Sequence, residues 1–186
     1  TSEGQAKTIF MTSTFPKEGK TFVSVNLAGT FALSGKKVLL IGLDIRNPKL
    51  DEYMNLPSRG VTNYLSSKDM DLHSLIVKQE GYDDFYVLPA GVVPPNPAEL
   101  LMNPKVKTMF EILKKEYDYI IVDTAPVSLV TDTLVIAKYA DAFIYVIRAN
   151  FLDKRMLKIP ESLYKGKKLH TMSVLLHVTY NDTNYG

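Results

Sequence analysis

Short apolar runs recur along the chain and alternate with stretches of helical spacing. The runs are continuous rather than interrupted by polar residues, which is the pattern of strands buried on both faces of a parallel sheet. They predict six strands, at residues 7–13, 37–43, 85–88, 119–123, 143–147 and 172–178. Parallel strands joined by helices form right-handed units. The sequence therefore predicts a doubly wound α/β fold, with a mainly parallel sheet and helices on both faces.

The segments between these strands carry apolar residues three and four positions apart, which predicts helices with one buried face. The helical patterns cover residues 22–33, 61–65, 70–77, 104–117, 131–139 and 154–165. Another helix is expected after a proline-rich segment, with Asn96 as its N-cap and Pro97 at its first position. Pro160 lies inside the last pattern, so we expect a kink or two separate pieces there.

The segment at residues 13–21 reads Ser-Thr-Phe-Pro-Lys-Glu-Gly-Lys-Thr and lies between the first strand and the first helix. A turn that ends in Gly-Lys-Thr and opens a helix is typical of a phosphate-binding loop, whose backbone N–H groups face an anion. Lys20 would reach the outer phosphates, and the Thr21 hydroxyl would bind Mg²⁺. The candidate nucleotide-binding residues are Pro16, Lys17, Glu18, Gly19, Lys20, Thr21 and Phe22.

One position of this loop departs from the usual pattern. Thr14 lies five residues before Gly19, where phosphate-binding loops usually carry another glycine. The alternative interpretation is an ordinary turn that happens to contain Gly-Lys-Thr. Acidic residues further along the chain favour the phosphate-binding loop.

Two aspartates follow predicted strands: Asp44 comes directly after the second strand and Asp123 ends the fourth. The carboxyl ends of parallel strands share one sheet edge, where open α/β sheets bind ligands. Ionised carboxylates suit a hard cation, so the candidate Mg²⁺ ligands are Thr21, Asp44 and Asp123. A helix cap or a solvated turn is the alternative explanation for Asp44. Asp132, near the start of a predicted helix, is explained by the helix dipole.

Composition narrows the class of protein. The 186 residues, of which 46% are hydrophobic, predict one domain at 1–178 followed by a polar tail at 179–186. A net charge of +2 does not suggest nucleic acid as a partner. No apolar run approaches the ~18 residues of a membrane span, so we expect this part of the protein to be soluble. Because the chain starts without Met, we expect it to be a fragment of a longer protein.

These motifs together resemble the bacterial tyrosine kinases (BY-kinases) of capsule and exopolysaccharide synthesis. Segment 13–21 matches the family pattern Ser-x-x-Pro-x-Glu-Gly-Lys-Ser/Thr, which lacks the early glycine. Further matches are Asp-Ile-Arg-Asn-Pro at 44–48, Gly-Val-Thr-Asn-Tyr-Leu at 60–65, Leu-Pro-Ala-Gly at 88–91, Pro-Pro-Asn-Pro-Ala-Glu-Leu-Leu at 94–101 and Tyr-Asp-Tyr-Ile-Ile-Val-Asp-Thr-Ala-Pro at 117–126. The resemblance extends over residues 7–148.

The resemblance implies a P-loop NTPase-like fold and an enzyme that uses ATP and Mg²⁺ to phosphorylate tyrosines in a C-terminal tail. The implied catalytic residues are Lys20, Asp44, Arg46 and Asp123. Tyr180 and Tyr185 are the candidate phosphoacceptors, because tyrosines in a polar tail have no evident packing role. The alternative is that these two tyrosines are incidental.

The same resemblance implies partners and a location. The chain is expected to form a ring-like homo-oligomer in which one subunit phosphorylates another. Its other implied partners are a membrane polysaccharide co-polymerase or activator and a cognate tyrosine phosphatase, with no nucleic acid among them. The implied location is the cytoplasmic face of the inner or plasma membrane.

Gly42 is the main departure from the family pattern, which has Asp-x-Asp after the second strand. The missing carboxylate would hold Mg²⁺ or accept the tyrosine proton. Because phosphoryl transfer relies mainly on positioning and charge stabilisation, we expect ATP binding to be retained and phosphotransfer to be weakened, unless Asp44 serves both roles. The alternative function is a catalytically weakened ATP-binding switch or scaffold that controls assembly with the co-polymerase.

Two smaller features complete the comparison with the family. Leu176-His177 replaces the Asn-Asp usual at the sixth strand, and His177 is interpreted as a strand-end histidine rather than a ligand. A partition-type ATPase is a further alternative to the kinase, but those proteins carry a lysine where this chain has Phe15.

Overall fold

A computed structural model describes residues 5–128 and 131–178 of the chain. Its strands are β1 (Lys7–Ser13), β2 (Val38–Leu43), β3 (Val77–Lys78), β4 (Phe85–Leu88), β5 (Tyr119–Thr124), β6 (Ala142–Arg148) and β7 (Met172–His177). They form one sheet in the order β3-β4-β2-β5-β1-β6-β7. Every pairing is parallel except that of β3 with β4. The predicted doubly wound α/β fold is confirmed.

In the described parts of the chain, six α-helices lie between these strands. They are α1 (Lys20–Leu33), α2 (Val61–Ser66), α3 (Pro97–Leu101), α4 (Lys105–Leu113), α5 (Asp132–Ile136) and α6 (Lys158–Lys165). Short 3₁₀ helices occur at Leu50–Glu52, His73–Leu75, Ala137–Tyr139 and Lys154–Leu157. Among the described residues, no helix is long and apolar enough to cross a membrane.

The helix predicted at residues 70–77 is wrong. The chain makes only a 3₁₀ turn at His73–Leu75 and then enters β3, where Val77 pairs with Val87 of β4 in antiparallel register. Ile76 and Val77 are β-branched and favour a strand, and the edge of the sheet supplies the partner. The pattern at 154–165 does form two pieces, and Pro160 lies in the first turn of α6, where its missing N–H costs no helical hydrogen bond.

Helices cover the sheet on both faces, so the central strands are buried on both sides. Every residue of β2 is buried. On one face, the Phe10 ring of β1 lies 5.8 Å from Phe110 of α4 and 5.6 Å from Phe143 of β6, measured between centroids. On the other face, Met11 and Leu40 pack with residues of α1. This core explains why the strands appear in the sequence as continuous apolar runs.

Strand register determines which side chains meet at the functional edge. Asp123 of β5 is aligned with Met11 of β1 on one side and with Gly42 of β2 on the other. The chain leaves β1 two residues beyond Met11 and turns into α1. The carboxyl ends of β1, β2 and β5 therefore bring the phosphate-binding segment and both aspartates to one edge of the sheet.

Candidate active site

The segment between β1 and α1 turns through two residues with left-handed backbone. Lys17 has φ of 68° and Gly19 has φ of 90°. Gly19 is the N-cap of α1, and its lack of a side chain allows this conformation without strain. A Cβ at Gly19 would also lie only 2.1 Å from Nδ1 of His177. The turn therefore requires glycine at position 19 but does not require it at Thr14.

Thr14 fits because its side chain points into the protein. Its hydroxyl lies 2.9 Å from the hydroxyl of Tyr145 on β6, and both side chains are fully buried. Burial raises the pKa of Tyr145 to about 12, so its hydroxyl stays protonated. The Thr14 carbonyl accepts hydrogen bonds from both the N–H and the hydroxyl of Ser128. The start of the loop is thus fixed to β6 by a hydrogen bond that a glycine could not make.

The Glu18 carboxylate stabilises the loop by accepting hydrogen bonds from backbone N–H groups. Its Oε2 accepts a hydrogen bond from the N–H of Phe15 at 2.7 Å, and its Oε1 lies 3.4 Å from the N–H of Arg148. Burial raises the pKa of the Glu18 carboxyl, and these backbone N–H groups only partly oppose the shift. The Arg148 guanidinium donates to the carbonyl of Lys17 at 3.1 Å. The side chain of Glu18 therefore holds the shape of the loop and lies outside the wall of the cleft described below.

The Asp123 carboxylate accepts hydrogen bonds from the polar side chains at the start of α1. Nζ of Lys20 donates to its Oδ1 at 2.6 Å, and the Thr21 hydroxyl donates to its Oδ2 at 2.9 Å. The Ser24 hydroxyl lies 3.3 Å from Oδ1. All four residues are buried, and a buried carboxylate needs such charged and hydrogen-bonded partners. The structure thus brings together three residues that the sequence predicted at the site, Lys20, Thr21 and Asp123.

Asp44 approaches the same lysine from the end of β2. Its Oδ2 lies 3.9 Å from Nζ of Lys20, and its Oδ1 accepts a hydrogen bond from the N–H of Asn47 at 3.2 Å. Burial raises the pKa of Asp44, Lys20 opposes the shift, and the nearby charge of Asp123 adds to it. A carboxylate with a raised pKa accepts a proton more readily than an exposed one.

Arg46 has a partner that sequence reasoning missed. Its Nε and Nη2 donate to the two carboxylate oxygens of Asp132 at 2.6 and 3.0 Å. Asp132 is fully buried at the start of α5, and its carboxylate bonds to Arg46, so its charge serves Arg46 rather than the helix end alone. A bidentate pair of this kind fixes the guanidinium plane. The only sign of this partner in the sequence was that Asp132 is an acidic residue shortly after the turn that follows a strand.

Gly42 is packed closely against its neighbours on the side where a Cβ would lie. A Cβ at this position would lie 3.0 Å from the backbone nitrogen of Ala90 and 3.1 Å from Cδ1 of Leu50. An aspartate here, as in the family pattern, would therefore require Ala90 and Leu50 to give way by a few tenths of an ångström. The departure from the family pattern is matched by the surrounding structure.

Two clefts open at this edge of the sheet. The first cleft has a volume of about 810 Å³, and six of the seven predicted nucleotide-binding residues line it, Glu18 being the exception. Asp44 and Arg46 also line it. At its far end, Nδ1 of His177 donates to the Glu18 carbonyl at 3.0 Å, and the ring stacks on Phe22 at 5.7 Å between centroids. His177 ends β7 as predicted, but it is also part of the cleft wall.

The second cleft has a volume of about 420 Å³ and lies between segment 48–58 and loop 89–93. Gly42 lies at its floor, and Asp44 and Asp123 line its inner end. Because Asp44 lines both clefts, they meet at this carboxylate.

Comparison with known proteins identifies the family. A family model described as an AAA domain matches residues 6–154. Tyrosine-protein kinase CpsD of Streptococcus pneumoniae is 36% identical over 188 residues, covering 100% of this chain and 82% of that protein. The chain belongs to the bacterial tyrosine kinase family. Another relative, putative tyrosine-protein kinase CapB of Staphylococcus aureus, is 32% identical. That match covers 99% of this chain and 82% of CapB.

Solved structures agree with this assignment. The kinase domain of the Escherichia coli tyrosine kinase ETK superposes with a TM-score of 0.87 at 29% identity, covering 99% of this chain and 72% of that one. The similarity therefore extends over nearly the whole of this chain and about three quarters of that kinase domain.

The donor atoms of the site fit a magnesium ion that is bound together with a nucleotide. Among residues 5–128 and 131–178, no group of three or more His, Cys, Asp or Glu side chains is placed to hold a metal ion. Two carboxylates, Asp44 and Asp123, and the Thr21 hydroxyl converge instead around Lys20. Mg²⁺ commonly takes one or two protein carboxylates and completes its shell with water and phosphate oxygens.

The two predicted phosphoacceptors, Tyr180 and Tyr185, lie outside the described residues.

Proposed function

We propose that this chain is an ATP- and Mg²⁺-dependent protein tyrosine autokinase that acts on tyrosines of its own C-terminal tail. The observation that carries the proposal is the meeting of two clefts at Asp44, beside the Lys20–Asp123 pair. One cleft suits a nucleotide and the other leaves room for an acceptor. Residues 1–178 form the kinase domain, and residues 179–186 present Tyr180 and Tyr185.

The first cleft takes ATP. Backbone N–H groups of the loop and of the start of α1 face the phosphates, and the helix dipole favours their negative charge. Lys20 exchanges part of its contact with Asp123 for the outer phosphate oxygens. Arg46, held in one orientation by Asp132, offers its remaining N–H groups to the same anion.

Thr21, Asp44 and Asp123 would hold Mg²⁺. When bound, the ion neutralises charge on the phosphate oxygens of ATP. The protein's own contribution is to keep the two carboxylates and the hydroxyl close together in a buried site, where electrostatic interactions are stronger than in water.

The transfer step needs a hydroxyl that attacks in line with the leaving ADP. The phenolic oxygen of tyrosine forms a bond to the γ-phosphorus while the bond from that phosphorus to the β,γ-bridging oxygen breaks. The products are phosphotyrosine and ADP, and the phenolic proton passes to the Asp44 carboxylate. Asp44 thus accepts the proton in place of the aspartate that the family pattern has at position 42.

Chain length favours transfer between copies. Neighbouring strands lie about 4.8 Å apart, so the four spacings from β7 to β2 amount to about 19 Å. Tyr180 follows Val178 by two residues, which an extended chain spans in about 7 Å at most. Tyr185 follows by seven residues and would need about three quarters of its full span of about 25 Å. The segment before Tyr180 is therefore too short to span this width, which favours phosphorylation of Tyr180 by another subunit.

Partners and location follow from the same function. The chain assembles as a ring-like homo-oligomer, and a membrane polysaccharide co-polymerase or activator brings it to the cytoplasmic face of the membrane. A cognate tyrosine phosphatase removes the phosphates. The biological role is the control of capsular or exopolysaccharide synthesis and export, as in the family it belongs to.

The second candidate function is an ATP-binding switch or scaffold with little kinase activity. Gly42 favours it, because the site has one carboxylate fewer than the family pattern. The autokinase requires Asp44 for transfer, whereas the scaffold requires only that ATP binds and changes assembly.

Phosphoprotein analysis tests the main proposal. The protein, in a form that includes its upstream segment, is incubated with Mg²⁺ and ATP, and Tyr180 and Tyr185 are examined by mass spectrometry. We expect phosphate on at least one of them, and none in the Lys20→Met variant. A preparation that binds ATP and self-associates but contains no phosphotyrosine would refute the autokinase and leave the switch.

A further inference from the structure

We propose that His177 selects the base of the nucleotide, and that its Nε2 accepts a hydrogen bond from the 6-amino group of adenine. This role rests on the kinase function proposed above, since the nucleotide is the phosphate donor of that reaction. Leu176-His177 stands where the family pattern has Asn-Asp, so the selecting group is a feature of this chain. The expected consequence is discrimination against guanine.

The first cleft has an aromatic end. Among the residues that line it, three carry rings, namely Phe22, Tyr53 and His177. Phe22 and Tyr53 are 45% and 46% exposed, although both carry large apolar rings. The Phe22 ring lies 5.7 Å from the ring of His177 and 6.3 Å from that of Tyr53, measured between centroids. Because Lys20 marks the phosphate end of the cleft, these flat surfaces mark the end that suits a base.

The ring of His177 is held in one orientation. The backbone carbonyl of His177 accepts a hydrogen bond from the N–H of Ala149 at 2.9 Å, which fixes the end of β7. The ring is nearly parallel to that of Phe22, at 20°, and it lies against Gly19, where a Cβ would be only 2.5 Å from its Cε1. Its Nδ1 is bonded to the Glu18 carbonyl at 3.0 Å. A ring that is fixed before binding discriminates well between ligands, because it need not be ordered by them.

The Glu18 carbonyl determines which ring nitrogen of His177 carries the proton. A carbonyl oxygen only accepts hydrogen bonds, so Nδ1 is the donor. In the neutral ring, the other nitrogen, Nε2, then has a lone pair and acts as an acceptor. Within residues 5–128 and 131–178 the ring makes its hydrogen bond through Nδ1 alone, so Nε2 is available to a ligand in the cleft.

An acceptor at the aromatic end distinguishes the two purine bases. Adenine has an amino group at position 6, which donates, whereas guanine has a carbonyl oxygen there, which accepts. Two acceptors that face each other leave both without a partner, and a site that bonds an N–H rejects an analogue that lacks it. Stacking on Phe22 does not depend on the atoms at the edge of the base. His177 therefore supplies selection, and Phe22 supplies affinity for either purine.

Calorimetry with three ligands tests the role of His177. ATP, GTP and inorganic triphosphate, each with Mg²⁺, are titrated at pH 8 into the full chain and its variants. Inorganic triphosphate reports on the phosphate end alone. A change in the shape of the loop therefore affects all three ligands, whereas a loss of base selection affects ATP alone.

His177→Phe removes the acceptor and keeps a flat ring. His170→Phe is the matched control, because the His170 ring is also bonded to a backbone carbonyl, that of Ala140, and packs edge to face on Phe143. His170 lines neither cleft. Thermal unfolding of each variant checks that it is folded.

We expect the parent to bind ATP about tenfold or more tightly than GTP. His177→Phe should weaken ATP by about tenfold, the loss of one hydrogen bond, and leave GTP and triphosphate within threefold. His170→Phe should leave all three affinities within twofold. In His177→Gln the amide accepts from adenine or donates to guanine, so ATP should stay within threefold of the parent and GTP should bind more tightly. This variant decides the outcome if His177→Phe is unstable.

Three results would overturn the selection of adenine by His177. Equal affinity of the parent for ATP and GTP would exclude it and leave the autokinase intact, since either nucleotide carries a γ-phosphate. A parallel loss of all three ligands in His177→Phe would mean that the ring only supports the loop. Absence of nucleotide binding by the parent would overturn both the base selection and the kinase function, whereas phosphate on Tyr180 or Tyr185 tests the kinase function alone.

Discussion

The two clefts share Asp44 but are built in different ways. The loop of the first cleft comes from one contiguous segment. A buried hydrogen bond between Thr14 and Tyr145 fixes it to β6, and Glu18 accepts a second, partly buried one from the N–H of Arg148. The second cleft is assembled from residues between positions 42 and 58, the loop at 89–93, and Asp123, which lie in three distant parts of the sequence. The phosphate-binding loop can therefore be encoded in a short motif, whereas the second cleft exists only after the sheet has formed. Variants that affect one cleft, the other or both can test this division.

Asp123→Asn should have the largest effect, because this carboxylate organises the first cleft and also lines the second. It removes the charge that holds Lys20 and Thr21, so we expect phosphotransfer to fall on the order of 10²–10³-fold. The measurement is the initial rate of tyrosine phosphorylation at saturating ATP. Asp83→Asn, an isosteric change at an exposed residue, is the control. A loss below tenfold would mean that the two clefts do not depend on one carboxylate.

Asp132→Asn should affect the first cleft more moderately. It breaks the bidentate contact that orients Arg46, and we expect kcat to fall by about tenfold, at the lower end of the effect of a charged contact. Asp153→Asn is a matched control, since Asp153 makes a similar bidentate contact with Arg155 on the surface. Equal effects of the two variants on kcat would show that the orientation of Arg46 does not contribute to phosphate transfer.

Tyr145→Phe tests whether the hydrogen bond that fixes the loop to β6 affects only the nucleotide cleft. It removes the hydrogen bond to Thr14 and should lower the free energy of unfolding by about 0.5–1.5 kcal/mol. ATP affinity should weaken a few-fold, while the rate of transfer from bound ATP should stay the same. Urea unfolding, calorimetry and single-turnover kinetics measure these quantities, with exposed Tyr164→Phe as the control. A change in the single-turnover rate would contradict the division between the clefts.

Glu18→Gln should have the smallest effect, and it should depend on pH. Burial raises the pKa of Glu18 above its ordinary value of 4.5, so the folded chain binds this proton more tightly than the unfolded chain. Protonation therefore stabilises the fold at low pH, and this contribution is lost as the pH rises through the raised pKa. The glutamine stays uncharged, so the variant should gain stability relative to the parent at neutral pH and lose that advantage toward pH 4.

Thermal unfolding of Glu18→Gln and of the parent between pH 4 and pH 8 measures this difference. Glu80→Gln, at an exposed position, should show no such trend. A stability difference that is independent of pH would mean that the buried carboxyl carries no charge cost in the loop.

The sequence predicted the parts of this protein that depend on local pattern. Continuous apolar runs located six strands, and Gly-Lys-Thr located the loop, since both signals lie within a few neighbouring residues. The two-residue strand β3 was missed because it exists only through its pairing with β4. The partners of Thr14 and Arg46 could not be predicted for the same reason. Tyr145 and Asp132 lie more than 80 residues away from them and are brought near by the strand order.

Gly42 also bears on the design of selective inhibitors. A compound anchored in the nucleotide cleft can extend past Asp44 into the space above this glycine, because the two clefts are connected there. Relatives with the aspartate of the family pattern at this position would place a side chain and a charge beside that space. An apolar substituent directed at Gly42 would bind this kinase and be rejected by such relatives, since selectivity often comes from a clash with the unwanted target.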